Sequence, residues 1–585
     1  MALLSENARR VLEARYLLRD ENGVVVEDFE GLCARVAGAV AQAETELGGD
    51  AAELAELFRG ALSRLEFLPN SPTLMNAGTS VGQLAACFVL PVEDSLESIF
   101  EAVKRMAGIH QSGGGTGFDF SRLRPAGDMV RGTHGIASGP VSFLSVFDAA
   151  TGVVKQGGRR RGANMGLLRI DHPDVRAFIA AKEDPASCNN FNLSVATTDA
   201  FWRSVEAGSA WPLLSPRTGL VTEQVDAREL LREISRHAWE SGDPGLIFLD
   251  AVNRANPTPK LGPLAATNPC GELPLLPWEA CNLGSLRLDA FVTGGAIDWE
   301  RLDAAVSLAV RFLDDVIEVS VYPYAEISAL TRANRKIGLG VMGFADLLVD
   351  LGIAYDSPEA VRTAERLMGR IHARAEAASA ALAEERGVFA NFAGSRAQIR
   401  GLRLRNATVT SIAPTGTLSI LAGCAGGIEP FFALSFVRHV LDGQRLSETN
   451  TRFEAALRRA GAFSSDLLAE VRVRGSVRAV GAAPEAVKRL FPTALDLAPT
   501  WHLSIQESFQ RHVDNAVSKT INLPAQTSPE QIEAIYLDAW RRRLKGVTVF
   551  REGSKGAAAV LVRGQSGELE AGPTFSGDCG DARCT

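Results

Sequence analysis

Residues 268–285 read NPCGELPLLPWEACNLGS and contain two of the eight cysteines of the chain. Pro269 and Gly271 stand on either side of Cys270, and both residue types disfavour a helix or a long strand. The sequence therefore predicts that Cys270 lies on a tight loop that spans 268–272.

The two cysteines of this stretch allow two interpretations. A pointed loop presents a sulfur, a carboxylate and an amide to one small substrate, which favours chemistry over packing. Alternatively, Cys270 and Cys281 are small buried hydrophobes, as free cysteines usually are. The spacing alone leaves both interpretations open.

On both sides of this stretch, from about residue 66 to residue 434, short β-rich runs alternate with longer helical patterns. This alternation is typical of an α/β fold with parallel strands. Glycine clusters at 113–117 and 155–166 indicate tight backbone geometry or close approach of a ligand. The β-rich runs are ACFVLPV, NMGLLRI, NFNLSVA, NLGSLRL, IGLGVMGF and ATVTSIAP.

Three segments are predicted from the patterning. Residues 1–65 carry apolar residues at three- and four-residue spacing and form a small helical N-terminal domain. Residues 66–555 form the α/β region. Residues 556–585 are Gly/Ser-rich and weakly patterned, so a flexible tail is expected there.

Composition excludes several classes of protein. With 46% hydrophobic and 22% charged residues, the 585-residue chain is an ordinary folded globular protein. A net charge of -8 argues against a nucleic-acid binder, because affinity for phosphate backbones comes from clustered Lys and Arg. No signal peptide or membrane-spanning run is present in the sequence. Eight cysteines, too sparse for a secreted disulfide scaffold, fit a reducing cytoplasm.

Several motifs together give a specific resemblance. NPCGE is followed by ACNLGS, with NSPTLMNAG and LAACFVLP upstream and APTGTLS downstream. In this order they resemble class II ribonucleotide reductase, from Tyr16 to Lys555. The resemblance implies a ten-stranded α/β barrel of two five-stranded parallel halves with a central finger loop, which would make 66–555 a catalytic barrel with effector loops.

The resemblance also implies catalytic roles. Cys270 matches the thiyl radical that takes the 3′-hydrogen of the substrate ribose. Glu272 matches the base on the 3′-hydroxyl, and Asn268 the amide that holds the ribose hydroxyls. Cys87 and Cys281 match the reducing pair, which forms a disulfide as the 2′-hydroxyl departs. Sequence does not show whether these two lie within disulfide reach.

A second cysteine pair lies in the tail, as CGDARC. In the family, a C-terminal pair enters the site, regenerates the dithiol and is itself reduced by thioredoxin-like proteins. Cys579 and Cys584 are expected to form this redox shuttle. The alternative is part of a metal site, although two cysteines without a further pair or a His are an incomplete zinc set.

Substrate contacts are predicted at three places. The segment 413–419 precedes an apolar run, so its amides and hydroxyls can form an anion-binding helix N-terminus for the substrate phosphate. For Ser71 and Ala86, which lie upstream, the competing interpretation is that they are turn residues that close strands. The residues that match family positions lining the substrate are Ser71, Ala86, Pro414, Thr415, Gly416 and Thr417.

The basic segment KQGGRRR, residues 155–161, is either a solvated loop or an effector loop. By resemblance, Lys155, Gln156 and Arg160 couple a deoxynucleotide effector to the substrate base. Residues 124–139 match a second effector loop, and a helix that begins near Val141 is expected to join a partner subunit in a homodimer. The histidines show no ligand spacing, so no metal site is predicted.

The source of the radical separates the classes of reductase. A class with a separate metal subunit needs a Tyr relay, but residues 545–551 read KGVTVFR, without Tyr. The tail fits neither the glycyl-radical motif of the anaerobic class nor its zinc site. Adenosylcobalamin is therefore the expected cofactor. The resemblance also implies that ribonucleoside diphosphates are the substrates.

Two alternatives stay open. The chain could be a catalytic subunit that a separate radical-generating partner serves, or a nucleotide-binding regulatory homologue without catalysis. The helical cap takes up the residues ahead of NSPTL, so no further nucleotide module is expected there and overall on/off control is not expected.

Overall fold

The computed structural model describes residues 4–129, 135–156, 160–439, 445–554, 561–563 and 569–571. At the N-terminus, α-helices form where the 3.6-residue pattern predicts them. The second helix begins after Asp28, whose carboxylate accepts the Gly31 amide, and ends at Gly48 in the left-handed conformation. The elements are α1 (Glu6–Val11), a π-helical turn (Leu12–Tyr16), α2 (Phe29–Leu47) and α3 (Ala51–Ser63).

The next segment builds the first half of a barrel, with a helix after most of its strands. The elements are β1 (Phe67–Pro69), α4 (Ser71–Asn76), β2 (Cys87–Val89), α5 (Leu96–Gln111), β3 (Gly115–Asp119), α6 (Gly139–Val153), β4 (Lys155–Gln156), β5 (Arg160–Arg161), β6 (Asn164–Arg169), α7 (Val175–Ile179), β7 (Phe191–Thr197), α8 (Asp199–Ala207), β8 (Ala210–Leu214), β9 (Val221–Asp226), α9 (Ala227–Ser241), β10 (Gly245–Phe248) and α10 (Leu249–Arg254). The helix predicted near Val141 is α6.

A short hairpin and the second half follow. The elements are a 3-10 turn (Pro259–Leu261), β11 (Ala266–Thr267), β12 (Pro274–Leu275), β13 (Glu279–Arg287), a 3-10 turn (Leu288–Phe291), β14 (Val292–Thr293), β15 (Ala296–Ile297), α11 (Trp299–Val319), α12 (Ala325–Asn334), β16 (Ile337–Met342), α13 (Phe344–Asp350), α14 (Pro358–Arg386), a 3-10 turn (Ala390–Phe392), α15 (Arg396–Ile399) and α16 (Gly416–Ala422). The chain continues with β17 (Ser435–His439), β18 (Arg445–Thr449), α17 (Thr451–Arg459), α18 (Ser465–Arg474), α19 (Glu485–Leu490), a 3-10 turn (Ala494–Asp496), α20 (Pro499–Gln510), β19 (Thr520–Leu523), α21 (Pro529–Arg541), β20 (Gly546–Arg551), β21 (Leu561–Arg563) and β22 (Leu569–Ala571).

Strand pairing closes the barrel. In the first half, β2, β3, β6, β7 and β10 are parallel neighbours. In the second, β13 pairs in parallel with β16, and β19 with β20. Single parallel bridges, Leu339 to Thr410 and Ile412 to Val517, place the 410–412 segment between β16 and β19. The halves join through antiparallel pairs, β2 with β13 and β10 with β20. The predicted ten-stranded barrel of two parallel halves is confirmed.

One sequence interpretation needs correction, and one barrel strand has no signal in the sequence. Gly115–Asp119, which begins inside the GGGTG cluster, is that strand. The ATVTSIAP run forms isolated bridges instead of a continuous strand. Glycines have no side chain to pack, and β-propensity largely measures side-chain packing. The strand at Gly115–Asp119 therefore gives no strand pattern in the sequence.

The apolar core has layers inside and outside the barrel. Outside the second half, α2 and α3 pack on α11, with the rings of Phe58 and Phe312 edge to face at 5.0 Å. A second outer layer covers the first half. Inside, the hairpin residues Leu273 and Leu275 are fully buried against side chains from both halves. The hairpin is therefore an integral part of the barrel interior.

A buried ionic cluster joins the N-terminal helices to the barrel. Arg386 bonds Glu44 from α2 and Asp315 from α11, the latter at 2.7 Å. Arg311 also pairs with Glu44, at 3.0 Å. Burial, reinforced by the charges of Glu44 and Asp314, raises the pKa of Asp315 to about 8 despite Arg386. Burial therefore favours the protonated form of Asp315 over its carboxylate.

Candidate active site

A finger loop inside the barrel carries Cys270. β11 and β12 pair antiparallel, and the Asn268 side-chain oxygen accepts the Leu273 amide at 3.0 Å. The Gly271 amide donates to the Asn268 carbonyl at 3.1 Å, with Gly271 in the left-handed region at φ +80°. Only glycine adopts this conformation without strain. The predicted tight loop is confirmed.

Strand positions of the first half make room for the loop. A Cβ at Gly117 would lie 1.7 Å from the Thr267 carbonyl oxygen, and one at Gly115 would lie 2.8 Å from the ring of Pro269. On β7, the Asn192 side chain donates to the Pro269 carbonyl at 2.9 Å. Two missing side chains and one hydrogen bond thus fix the backbone next to Cys270.

Cys87 and Cys281 are direct cross-strand partners on β2 and β13. Opposed residues of an antiparallel pair have Cα atoms about 4.5–5.5 Å apart, inside the roughly 4.4–6.8 Å range of disulfides, and their side chains lie on one face. The Asn268 amide donates to the Cys87 sulfur at 3.2 Å. The structure therefore brings together two cysteines that are far apart in sequence.

Cys281 lies behind Cys87, fully buried, and its sulfur donates to the Lys336 carbonyl at 3.3 Å. Burial raises the pKa of Cys281 well above its ordinary value, so it stays a thiol. Beside it, the ammonium of Lys336 donates to Glu279 at 2.6 Å, and Asn334 donates to the same carboxylate at 2.7 Å. Sequence reasoning missed this pair, although Glu279 and Cys281 are two residues apart and so share one face of β13.

A small cavity of about 100 Å³ lies on one side of the finger loop. Every predicted catalytic and substrate-contacting residue except Cys281 lines it. Glu272 is almost fully buried there, and its carbonyl accepts the Ser411 hydroxyl at 2.9 Å and the Ala516 amide at 2.8 Å. The predicted residues in this wall are Ser71, Ala86, Cys87, Asn268, Cys270, Glu272, Pro414, Thr415, Gly416 and Thr417.

The first residues of α16 close one end of this cavity. Thr415 precedes the helix in the left-handed region at φ +52°, and its hydroxyl accepts the Gly427 amide at 2.8 Å. Two residues of the N-terminal π-helical turn also reach this end. Arg15 donates to the Thr417 hydroxyl at 3.3 Å, and the Tyr16 hydroxyl lies 2.9 Å from that of Ser71. No sequence signal connects Arg15 to a partner 402 residues away.

A larger cleft of about 620 Å³ opens on the other side of the finger loop. Its wall combines apolar side chains such as Phe431 and Val547 with polar ones such as Glu429 and Asn522. Cys270 lines both the cleft and the small cavity. A single sulfur therefore borders two separate binding spaces.

Comparison with known proteins agrees with this geometry. The description "Ribonucleotide reductase, barrel domain" matches residues 85–550, and "Ribonucleotide reductase, all-alpha domain" matches residues 2–82. The chain belongs to the ribonucleotide reductase family. A reductase of Mycobacterium tuberculosis (strain CDC 1551 / Oshkosh) is 51% identical, over 99% of this chain and 84% of that protein. One from Thermoplasma acidophilum is 46% identical, over 96% and 80%. Both are named vitamin B12-dependent ribonucleoside-diphosphate reductase.

A solved structure shows the same fold. The class Id ribonucleotide reductase alpha subunit of Actinobacillus ureae aligns with a TM-score of 0.77, at 24% identity, over 94% of this chain and 97% of that one. At this identity the likeness supports the barrel fold alone.

The predicted effector residues of this reductase lie on a short hairpin. Lys155 pairs with Arg161, and Gln156 with Arg160, in an antiparallel ladder that follows α6. The intervening residues 157–159 lie outside the described part of the chain, as do the tail cysteines Cys579 and Cys584. The effector and shuttle assignments therefore stay predictions.

Two features are absent from the described residues of this reductase. None of the helices in this part of the reductase is both long enough and apolar enough to cross a membrane. Within the same ranges, His, Cys, Asp and Glu side chains form no group of three that could hold a metal ion.

Proposed function

We propose that this chain reduces ribonucleoside diphosphates to 2′-deoxyribonucleotides by a thiyl-radical mechanism that depends on adenosylcobalamin. The observation that carries the proposal is that Cys270 borders both the small cavity and the large cleft. A hydrogen-abstracting thiol needs a ribose on one side and a radical source on the other, and the finger loop separates two such spaces.

On the substrate side, each side chain has a chemical task. A Cys270 thiyl radical takes the 3′-hydrogen of the ribose and returns a hydrogen at the end of the cycle. Glu272 accepts the proton of the 3′-hydroxyl and returns it before the product forms, and the Asn268 amide orients the ribose hydroxyls. The Asn268 amide also donates to the Cys87 sulfur, a contact that supports a shared task for these two side chains at one ribose.

The reducing pair balances the reaction. The 2′-hydroxyl leaves as water after it receives a proton from a thiol, and Cys87 and Cys281 supply two electrons as they form one disulfide. Their direct pairing on adjacent strands supports this role, since the disulfide requires no backbone rearrangement across the barrel. Burial keeps Cys281 a thiol until the disulfide forms, so that the second proton is then available to the 2′-carbon.

The large cleft fits the expected cofactor. A corrin ring presents broad apolar faces and an amide-bearing rim, and the cleft offers aromatic and aliphatic side chains together with polar ones beside Cys270. When bound, adenosylcobalamin supplies a carbon-centred radical able to take the thiol hydrogen. Phe431, Val547 and Asn522 are cleft residues that would hold it.

Phosphate, effector and partner sites complete the proposal. The amides at the start of α16 and the hydroxyls of Thr415 and Thr417 would receive the substrate phosphates. Diphosphates are proposed because the relatives from Mycobacterium tuberculosis and Thermoplasma acidophilum are named ribonucleoside-diphosphate reductase.

The effector signal would be transmitted by Lys155, Gln156 and Arg160 in a homodimer joined through α6. Cys579 and Cys584 would pass electrons from a thioredoxin-like protein. The divisions at residues 65 and 555 likewise stay predictions.

The test is an assay of the purified chain with CDP and a dithiol, with and without adenosylcobalamin. We expect deoxycytidine diphosphate only with the cofactor and without a second protein. Turnover that requires another protein and no cobalamin would favour a catalytic subunit with a separate radical-generating partner. A parallel assay with CTP decides between di- and triphosphate substrates.

A further inference from the structure

A polar cluster on the wall of the large cleft has no task in the chemistry above. It consists of Glu429, Lys519 and His502. The Lys519 ammonium donates to Glu429 at 2.5 Å, to His502 Nδ1 at 3.0 Å and to the Thr520 carbonyl at 3.2 Å. The other Glu429 oxygen accepts the Thr520 amide at 2.8 Å. The carboxylate is therefore fixed from two directions.

The hydrogen-bond directions within the cluster are determined. His502 Nε2 lies 3.2 Å from the Ala494 carbonyl oxygen, which only accepts, so Nε2 carries the proton and Nδ1 is free to accept from Lys519. Burial and the neighbouring ammonium lower the pKa of His502 well below its ordinary value, so the ring stays neutral. All three N–H groups of Lys519 are used.

The cluster holds a buried cation next to a carboxylate that is partly exposed to the cleft. The side chains of Lys519 and His502 are buried, whereas 28% of the Glu429 side chain is exposed and Glu429 lines the cleft. Buried ion pairs contribute little net stability, because desolvation offsets the attraction. The arrangement does, however, hold one carboxylate rigidly at the cleft surface with lone pairs left to accept further hydrogen bonds.

We propose that Glu429 is a cofactor-binding residue that accepts hydrogen bonds from neutral donors of adenosylcobalamin, with Lys519 and His502 as its positioning residues. This inference rests on the proposed function. Because Lys519 already neutralises the carboxylate, a second cation gains little, and neutral N–H or O–H donors are favoured. The cofactor offers two such sources, the amides of the corrin rim and the ribose hydroxyls of the adenosyl group.

Equilibrium binding to the full chain separates the sources without any turnover. Adenosylcobalamin and hydroxocobalamin, which lacks the adenosyl group, are titrated by absorbance into wild type, Glu429→Gln and the control Glu365→Gln. Glu365 is an exposed partner of Arg511 away from the cleft, so its variant removes the same charge elsewhere. We expect Glu429→Gln to weaken adenosylcobalamin at least about tenfold and Glu365→Gln to leave it unchanged. If Glu429→Gln weakens hydroxocobalamin binding equally, the donors to Glu429 are the corrin amides. If it leaves hydroxocobalamin binding unchanged, the donors are the ribose hydroxyls.

A Kd for adenosylcobalamin within twofold of wild type in Glu429→Gln would overturn the inference and leave the proposed function standing. Failure of wild type to bind either cobalamin would overturn both. Nucleotide binding and thermal unfolding check that Glu429→Gln is folded. If it is not folded, Glu429→Asp replaces it, because this variant keeps the charge but shortens the side chain. We expect the same loss of adenosylcobalamin binding, and a Kd within twofold of wild type would again overturn the inference.

Discussion

Gly117 offers a sharp test of how the barrel positions Cys270. A Cβ at this residue would lie 1.7 Å from the Thr267 oxygen, whereas real Cβ contacts essentially never fall under 3.0 Å. The strand and the finger loop would have to separate by at least 1.3 Å, the difference between these two distances. Since Cβ is fixed to one backbone and the oxygen belongs to another, no rotamer change relieves the clash.

Cys270 follows Thr267 by three residues, so this displacement reaches the sulfur. A misplacement of about 1 Å costs about 100-fold in rate. We therefore expect Gly117→Ala to lower kcat about 100-fold. The matched control is Gly38→Ala in α2, where an added Cβ meets no atom within 4 Å; it should keep the wild-type rate and gain ~0.5–1 kcal/mol of stability.

The assay is steady-state reduction of CDP with adenosylcobalamin and a dithiol, alongside thermal unfolding and nucleotide binding. A Gly117→Ala enzyme with kcat within twofold of wild type would refute the reasoning, because the loop would then tolerate the shift. Loss of nucleotide binding together with the fold would show a general packing defect and would also count against a local effect on Cys270.

Five other variants extend the tests. Asn192→Asp removes the donor to the Pro269 carbonyl, so kcat should fall about tenfold or more with KM retained; an equal rise in KM would contradict a positioning role. Arg160→Ala should blur which base is reduced under a given effector more than it lowers the best rate, since coupling of ~1–3 kcal/mol is lost, and an unchanged effector response would contradict this. Cys579→Ser or Cys584→Ser should spare a single pre-reduced turnover but stop cycling with thioredoxin, with rescue by dithiothreitol; normal cycling would disprove the shuttle. For Asp315, the pKa of about 8 in the folded chain lies above the value of roughly 4 in the unfolded chain. The stability that its protonated form contributes to the folded chain is therefore lost as the pH rises from the unfolded pKa to the folded pKa. Asp315→Asn should therefore gain about 1.4 kcal/mol per pH unit relative to wild type from pH 5 to 7 in urea unfolding, and a constant difference would exclude the shifted pKa.

The finger loop was predictable from sequence because Pro269 and Gly271 impose local backbone constraints that no tertiary contact needs to supply. The buried strands of the barrel were also visible as apolar β-rich runs. The strand at Gly115–Asp119 was not, because its glycines allow close contacts with Thr267 and Pro269 that exist only once the loop is inside the barrel.

Contacts between distant segments were predictable only through family resemblance or not at all. Motif order implied that Cys87 and Cys281 work together, but their cross-strand register required the structure. Neither Arg15 beside Thr417 nor Lys519 beside Glu429 leaves a sequence pattern, since a lone charged residue is usually a solvated one.

The central claim is that Cys270 initiates a reduction whose electrons come from Cys87 and Cys281. The most direct measurement is one turnover of pre-reduced enzyme with adenosylcobalamin and CDP but no external reductant, followed by mass spectrometry of the blocked thiols. We predict deoxycytidine diphosphate together with an equal amount of a Cys87–Cys281 disulfide in a variant that lacks both tail cysteines, and neither product in Cys270→Ser. Product without that disulfide, or product from Cys270→Ser, would contradict the account.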